Sequence, residues 1–239
     1  DASSVIGNPV RVQSADGYYL APTAYVYFGS VYNSDSGEYE PILCRVLDAN
    51  KDNNGNVGAM LLLTENAISL NQRFSNEEDI WIEHWDIENI YTESVMAKFS
   101  SQENIFTHTE LSLMRDITKT DVASEMEGMF GYSKDYGYAW ETDTVVDYAA
   151  VQSESAVMLN SSKIFPLSAK ELNDYVANYS GALGMSATHI TTKASVDWWL
   201  RTGFNDEYGD LVGAVDKDGK VVYKGAASTD VAGRFAFNL

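Results

Sequence analysis

The chain has 239 residues, of which 45% are hydrophobic, and 35 acidic residues against 16 basic ones give it a net charge of −19. A charge of this sign and size repels phosphate backbones and anionic surfaces, so we expect no nucleic-acid partner. The sequence has no apolar run of 18 residues, so we expect no insertion into a membrane. The single cysteine, Cys44, excludes an intramolecular disulfide and a four-cysteine zinc site.

The chain starts with the polar segment DASSVIGNP, and Asp1 stands where an initiator methionine is expected. Such a start is typical of a mature protein after signal-peptide removal, or of a trimmed chain. Residues 1–23 carry scattered polar and turn residues and are predicted to form an N-terminal arm. Residues 24–239 contain neither an internal repeat nor a low-complexity linker, so we predict a single α+β domain.

Strands dominate the next segment. AYVYFGS (residues 24–30) alternates as a strand does, and PILCRVLDA is followed by the apolar run VGAMLLLT. Residues 41–64 are therefore predicted to form a β-hairpin with a long polar tip. From residue 65 to about 117 the apolar spacing becomes helical, and Thr107 with Glu110 forms a capping box that starts one helix.

The second half of the chain mixes loops, one helix and closing strands. Residues 128–150 are rich in glycine and tyrosine and too irregular for a helix, whereas Ser168 and Glu171 form a second capping box. Residues 180–195 are predicted to form a long surface loop, and DWWLRTGF (residues 197–204) a strand. Asp218-Gly219 lies between alternating apolar residues, which predicts a tight hairpin.

Eight short motifs occur in a characteristic order. They are YFGS (27–30), PILCRVLD (41–48), MLLLTENAI (60–68), FTHTE (106–110), KIFPLS (163–168), DWWLRT (197–202), VDKDGKV (215–221) and GRFAF (233–237). In this order and spacing the chain, over residues 24–239, resembles DUF6273, a family of extracellular bacterial domains of unknown function. It departs from the family at Cys44, where tryptophan is usual, at Thr202, where serine is usual, and in the last motif, which lacks the valine and proline.

The closing motifs also resemble the C-terminal part of C-type-lectin-like and formylglycine-generating-enzyme-like folds. Together the two resemblances imply an α+β, C-type-lectin-like fold with small twisted antiparallel sheets, flanking helices and long loops. They further imply a secreted or cell-surface bacterial protein. One cysteine cannot supply the cysteine pair that holds copper in formylglycine-generating enzymes, so that activity is excluded.

The loop at residues 50–56 invites a calcium interpretation. Counted from Asn50, it has oxygen-bearing side chains at positions 1, 3 and 5 and glycine at 6, as in an EF-hand. Position 12 is Leu61 in place of the bidentate glutamate, so a flexible hairpin tip without any cofactor is the main interpretation. A partial calcium site is the alternative, with the ligands Asn50, Asp52, Asn54 and Asn56.

Aromatic residues supply the candidate ligand-binding positions. The glycine-rich segment carries Phe130, Tyr132, Tyr136, Tyr138 and Trp140 on a predicted loop, and the last four are the candidate ligand contacts. The alternative is a surface loop whose aromatic rings pack against one another. On a strand Trp198 and Trp199 point to opposite faces, so one belongs to the core while Trp199 could line a groove or stack beneath Arg201. Arg234 is predicted to anchor the closing strand through a charged hydrogen bond.

The sequence favours a non-enzymatic extracellular binding or adhesion module for a protein or glycan ligand. The histidines, His84, His108 and His189, have neither the serine-elbow nor the zinc-ligand spacing that hydrolases show. The alternative is a carboxylate-dependent hydrolase acting on cell-wall or host polysaccharide, with carboxylates such as those at residues 77–79.

Overall fold

The computed structural model describes residues 5–14, 17–74, 105–120, 158–177, 186–206 and 209–239. Strands predominate in these residues. The strands are β1 (Val5–Ser14), β2 (Gly17–Asn33), β3 (Glu38–Asp48), β4 (Leu61–Thr64), β5 (Ile117–Thr120), β6 (Met158–Ser162), β7 (Ile164–Phe165), β8 (Ala187–Thr188), β9 (Ser195–Asp206), β10 (Gly209–Val215), β11 (Val221–Gly225), β12 (Val231–Ala232) and β13 (Ala236–Asn238). The helices are α1 (His108–Leu113) and α2 (Ala169–Leu172), the latter continued by a π-helical turn (Asn173–Ala177).

The largest sheet is antiparallel throughout, with the order β1-β2-β3-β4-β13-β7. The predicted hairpin over residues 41–64 is confirmed, because β3 pairs with β4. The C-terminal strand β13 inserts between β4 and β7, so the first and last parts of the chain share one sheet. β2 crosses the predicted boundary between residues 23 and 24 without a break, and its first half pairs with β1. The division into an arm and a domain stays a prediction.

A second sheet has the order β11-β10-β9-β12, and β8 also pairs with β9 within the predicted loop segment. The predicted Asp218-Gly219 hairpin is confirmed between β10 and β11. Its loop has three residues, since the Asp216 N–H donates to the Lys220 carbonyl at 2.8 Å. Gly219 alone of these residues has a left-handed φ, of 81°. A three-residue loop needs one left-handed residue, whereas a two-residue turn of the mirror-image type needs two. β5 and β6 pair with each other as a third, two-stranded sheet.

Both predicted capping boxes are confirmed at the starts of α1 and α2. Thr107 accepts a hydrogen bond from the Glu110 backbone, and Ser168 and Glu171 bond reciprocally. The helical expectation for residues 65–74 is wrong, because these backbone groups bond to other segments. The Ile68 N–H, for example, donates to Gly233 and the Gln72 N–H to Val231. The predicted helical residues 75–104 and the glycine- and tyrosine-rich segment lie outside the described residues.

One hydrophobic core joins the two larger sheets. Its largest fully buried apolar side chains include Trp198, Trp199, Phe165, Phe235 and Phe237. The expected α+β class is confirmed in its coarser form, as small, mostly antiparallel sheets with few helices. Within the described part of the chain, no helix has the length and apolar character needed to cross a membrane.

Candidate functional site

A β-bulge in β2 sets the geometry of the most exposed aromatic surface among the described residues. Tyr27 pairs with Leu43 and Ser30 pairs with Pro41, so two residues of β2 oppose one residue of β3. Gly29 lies in the bulge with a φ of 81°, a left-handed conformation that favours glycine. A Cβ atom at this position would lie 2.6 Å from the ring of Phe106, so glycine is required for space as well as for conformation.

The segment at the start of α1 satisfies the backbone groups that the bulge frees. The Gly29 N–H donates to Glu110 Oε1 at 2.8 Å, and the Ser30 N–H donates to the Ile105 carbonyl at 2.9 Å. Glu110 Oε2 accepts from the Thr107 N–H at 2.7 Å. Burial raises the pKa of Glu110, but hydrogen bonds from Thr107 and Gly29 outweigh it and hold that pKa below its usual range. The bulge is therefore held by a charged acceptor.

The bulge decides which side chains share a face. Tyr27 and Tyr32 are five residues apart, a spacing that puts two side chains on opposite faces of a regular strand. The extra residue in the bulge shifts the side-chain alternation of β2 by one position. Tyr27 and Tyr32 therefore lie on the same face, which also carries Tyr39, the cross-strand partner of Tyr32. These three side chains are exposed by 42%, 55% and 64%, respectively. We call Tyr27, Tyr32 and Tyr39 the tyrosine face.

The rings at the outer end of the tyrosine face are held in place. Tyr32 and Tyr39 lie edge to face, with ring centroids 5.3 Å apart and an interplanar angle of 60°. Asn33 stabilises the turn between them, because its Oδ1 accepts from the Asp35 N–H at 2.9 Å and its Nδ2 donates to Glu40. The turn and the two rings thus form a pre-organised tip of the β2–β3 hairpin.

The inner end of the same face leads to a partly buried ion pair. Tyr25 lies opposite Arg45, whose guanidinium is 5.9 Å from the Tyr25 ring centroid. Arg45 binds Glu65 in a bidentate manner, through Nε at 2.9 Å and Nη2 at 2.6 Å. Burial raises the pKa of Glu65, but the charges of Arg234 and Arg45 outweigh it and lower that pKa. The ion pair fixes β3 to the residue that follows β4.

Arg234 occupies the interior beside this ion pair. Its Nε donates to the Thr64 carbonyl at 2.7 Å, and its guanidinium lies 4.8 Å from the ring centroid of Trp198. Burial outweighs the attraction of Glu65 and lowers the pKa of Arg234 to about 10. The predicted anchoring of the closing strand through a charged hydrogen bond is confirmed.

The structure places the predicted ligand residues Trp199 and Arg201 in the core. Both side chains are fully buried, as is Trp198, so both faces of β9 are covered at this point. Trp199 Nε1 donates to the Gln72 carbonyl, and its ring packs edge to face against Phe74 at 5.7 Å. Both tryptophans therefore pack the core of the fold at this position.

Arg201 belongs to a buried polar cluster centred on Glu171. It binds both carboxylate oxygens, with Nη2 2.7 Å from Oε1. Lys119 Nζ lies 2.9 Å from the same oxygen, and Asn53 Nδ2 donates to it at 3.1 Å. Burial raises the pKa of Glu171, but Arg201 and then Lys119 outweigh it and lower that pKa to about 2. The cluster joins β5, α2 and β9 to the tip of the β3–β4 hairpin.

The predicted calcium loop is part of that tip and packs against the fold. Asp52 Oδ1 accepts from the backbone N–H groups of Asn54 and Asn56, at 2.8 and 2.9 Å, and its Oδ2 accepts from Asn56 Nδ2. Asn50 contributes its carbonyl to the Gly58 N–H. In the described part of the chain, no group of three or more His, Cys, Asp or Glu side chains is arranged to hold a metal. The calcium site stays a prediction.

The remaining predicted ligand residues, Tyr132, Tyr136, Tyr138 and Trp140, lie outside the described residues, as do the carboxylates at 77–79. Sequence reasoning missed the tyrosine face. Its signal is the recurrence of tyrosine at 25, 27, 32 and 39 on both sides of a turn. The five-residue spacing between Tyr27 and Tyr32 hides this signal from a search for simple alternation.

The chain was compared with protein-family models, with curated proteins and with solved structures, and no match was found. The resemblance to DUF6273 therefore stays a prediction drawn from the motifs. Function is inferred from the residues of the chain itself, and the tyrosine face is the surface from which we infer it.

Proposed function

We propose that this chain is a non-enzymatic extracellular binding or adhesion module and that the tyrosine face contacts its protein or glycan ligand. The observation that carries the proposal is the exposure of Tyr27, Tyr32 and Tyr39 on one face of a single hairpin. Tyrosine offers a large apolar ring with a polar hydroxyl and few rotatable bonds, which is why it is enriched in binding surfaces.

The rigidity of the hairpin supports the proposal. A ligand loses affinity when it must first order the surface that it binds, and a pre-organised surface avoids that loss. Here the bulge is held by Glu110 and the turn by Asn33, so the backbone beneath the rings is fixed from both ends. The opposite face of β3 packs into the core through Ile42, Cys44 and Val46.

Membership of DUF6273, a C-type-lectin-like architecture and a secreted or cell-surface bacterial location belong to the same proposal. The order of the eight motifs supports membership of DUF6273. The closing sheet, with its hairpin and the Gly-Arg segment before the last strand, supports the C-type-lectin-like architecture. The net charge of −19 suits an extracellular setting and supports the secreted or cell-surface location.

The test is a ligand search with matched variants. The wild-type chain and the double variant Tyr32→Ala/Tyr39→Ala are screened on a glycan array and against immobilised extracellular proteins. The control is Val57→Ala/Leu113→Ala, which removes two other exposed apolar side chains. We expect wild type and control to retain the ligand and the tyrosine variant to lose at least about tenfold in affinity. Equal binding by all three would overturn the assignment, and release of shortened polysaccharide would favour the hydrolase.

A further inference from the structure

We infer that the ligand of the tyrosine face is a basic, lysine- or arginine-rich segment of a protein. This inference rests on the proposed function and narrows it to one chemical class. It is carried by the carboxylates that surround the tip of the β2–β3 hairpin, from Asp35, Glu38 and Glu40.

The tip is strongly acidic. Asp35 and Glu38 are exposed, and among the described residues neither carboxylate accepts a hydrogen bond or forms an ion pair. Glu40 accepts from Asn33 and forms an ion pair of 3.2 Å with Lys193. Of these three carboxylates, only that of Glu40 has a cationic partner among the described residues, in a chain whose net charge is already −19.

The exposed rings complement the carboxylates. An ammonium or guanidinium group is attracted to the face of a tyrosine ring within about 6 Å of its centroid. Tyr39 is the most exposed of the three tyrosines. Glu38 and Glu40 flank it on β3, so strand alternation directs their side chains to the other face of the hairpin tip. A basic segment that wraps around the tip can lay one side chain on the rings and reach Asp35 in the turn, or Glu38 on the other face, with a neighbouring side chain.

Charge complementarity favours a basic protein segment over a glycan as the ligand of the tyrosine face. Opposite charges across an interface speed association and select against partners of the wrong charge. A neutral glycan gains no charge attraction from Asp35 or Glu38, and an anionic one is repelled by them. The acidic tip therefore narrows the proposed protein or glycan ligand to a basic protein segment, and a neutral glycan becomes an outcome of the test.

The probe is a synthetic peptide in which arginine alternates with serine and glycine, with two comparison peptides that carry glutamine or glutamate in place of arginine. Binding to the full chain is measured by isothermal titration calorimetry at low and at physiological ionic strength. The test variant is Asp35→Asn/Glu38→Gln. The control variant Asp116→Asn/Asp218→Asn changes the net charge equally at two exposed positions elsewhere.

We expect the arginine peptide to bind wild type and control more tightly at low salt, and the glutamine and glutamate peptides to bind weakly. Asp35→Asn/Glu38→Gln is expected to lower the affinity about fivefold and to reduce its salt dependence. Tyr32→Ala/Tyr39→Ala is expected to lower it about tenfold. Circular dichroism of each variant establishes that it is folded.

The two proposals fail in different ways. Equal affinity for the arginine and glutamine peptides, equal losses in the test and control variants, or no binding of the arginine peptide would overturn the basic-segment inference. A glycan whose binding depends on Tyr32 and Tyr39 but not on the carboxylates would overturn the same inference and support the proposed function. Undiminished ligand binding by Tyr32→Ala/Tyr39→Ala would overturn the proposal that the tyrosine face contacts the ligand.

Discussion

The backbone N–H of Gly29 donates a hydrogen bond of 2.8 Å to the carboxylate of Glu110, which lies 81 residues further along the chain. This bond joins a strand bulge to the capping box of a helix. Because the bulge shifts the phase of β2 by one residue, the bond also supports the placement of Tyr27 and Tyr32 on one face. Two sequence motifs that are far apart, YFGS and FTHTE, thus meet at this bulge, where Phe28 also packs against Phe106.

Gly29→Ala is expected to lower the free energy of unfolding by about 2–5 kcal/mol. A left-handed φ costs a residue with a Cβ about 1–2 kcal/mol, and the Cβ would overlap the Phe106 ring, which adds about 1–3 kcal/mol. Urea denaturation provides the measurement. Gly55→Ala is the matched control, because Gly55 has a φ of 80° and a Cβ added there would meet nothing within 4 Å. Equal losses in both variants would show that the contact with Phe106 contributes nothing.

Glu110→Gln is expected to destabilise the fold by about 1 kcal/mol at neutral pH, because it removes the charge that accepts from Gly29 and Thr107. The folded-state pKa of Glu110 lies below its unfolded value, so its contribution is present above the unfolded pKa and is lost as the pH falls. The difference between wild type and variant should therefore shrink in acid. Denaturation curves at several pH values test this, with the exposed Thr109→Ala as a control. A difference that is constant with pH would contradict the prediction.

Glu171→Gln is expected to cost about 3–5 kcal/mol, since it leaves the guanidinium of Arg201 buried without its counter-charge. Asp174→Asn breaks the half-buried i,i+4 pair with Lys170 at the protein surface and is expected to cost about 0.5 kcal/mol. The two variants are compared by chemical denaturation. Similar losses in both would show that the buried cluster adds no more than a surface pair.

Acid unfolding gives a second test of the same carboxylate. The pKa of Glu171 is lowered to about 2 in the fold, against about 4.3 in an unfolded chain. Its stabilising contribution is therefore complete above the unfolded value and declines as the pH falls towards 2. The stability gap between wild type and Glu171→Gln should narrow over that interval. A stability difference that widens in acid would show that the pKa of Glu171 is raised in the fold, contrary to the prediction.

The thiol of Cys44 is expected to be unreactive in the folded protein. Burial raises its pKa, and the charges of Glu65 and Glu110 act in the same direction, so the thiolate that reacts is suppressed. Reaction with a disulfide reagent should proceed only when denaturant is added. In Cys44→Ser/Ser34→Cys the thiol is moved to the exposed turn and should react at once. Rapid reaction of the wild-type protein under native conditions would contradict the prediction.

Local chemistry was sufficient to predict several elements. Thr107 with Glu110 and Ser168 with Glu171 identified both helix starts, because a capping box is complete within four residues. Asp218-Gly219 likewise identified its hairpin. For residues 65–74 the same local reasoning predicted a helix that the fold does not form. Their helical spacing competes with backbone hydrogen bonds to Gly233, Val231 and Ala226, and the sequence pattern does not reveal those partners.

The sequence by itself determined the acidity, the strand-rich composition, the capping boxes and the closing hairpin, because each depends on residues close together in the chain. Tertiary structure decided which aromatic side chains are buried and which are exposed. Trp199 and Arg201 are buried because β9 is covered on both faces, and strand alternation alone cannot show that. Tyr27 and Tyr32 share a face only because Gly29 adopts a left-handed φ beside Phe106 and Glu110. The side-chain phase of a strand is fixed by every residue that it pairs with, so one distant contact can change which residues reach the solvent.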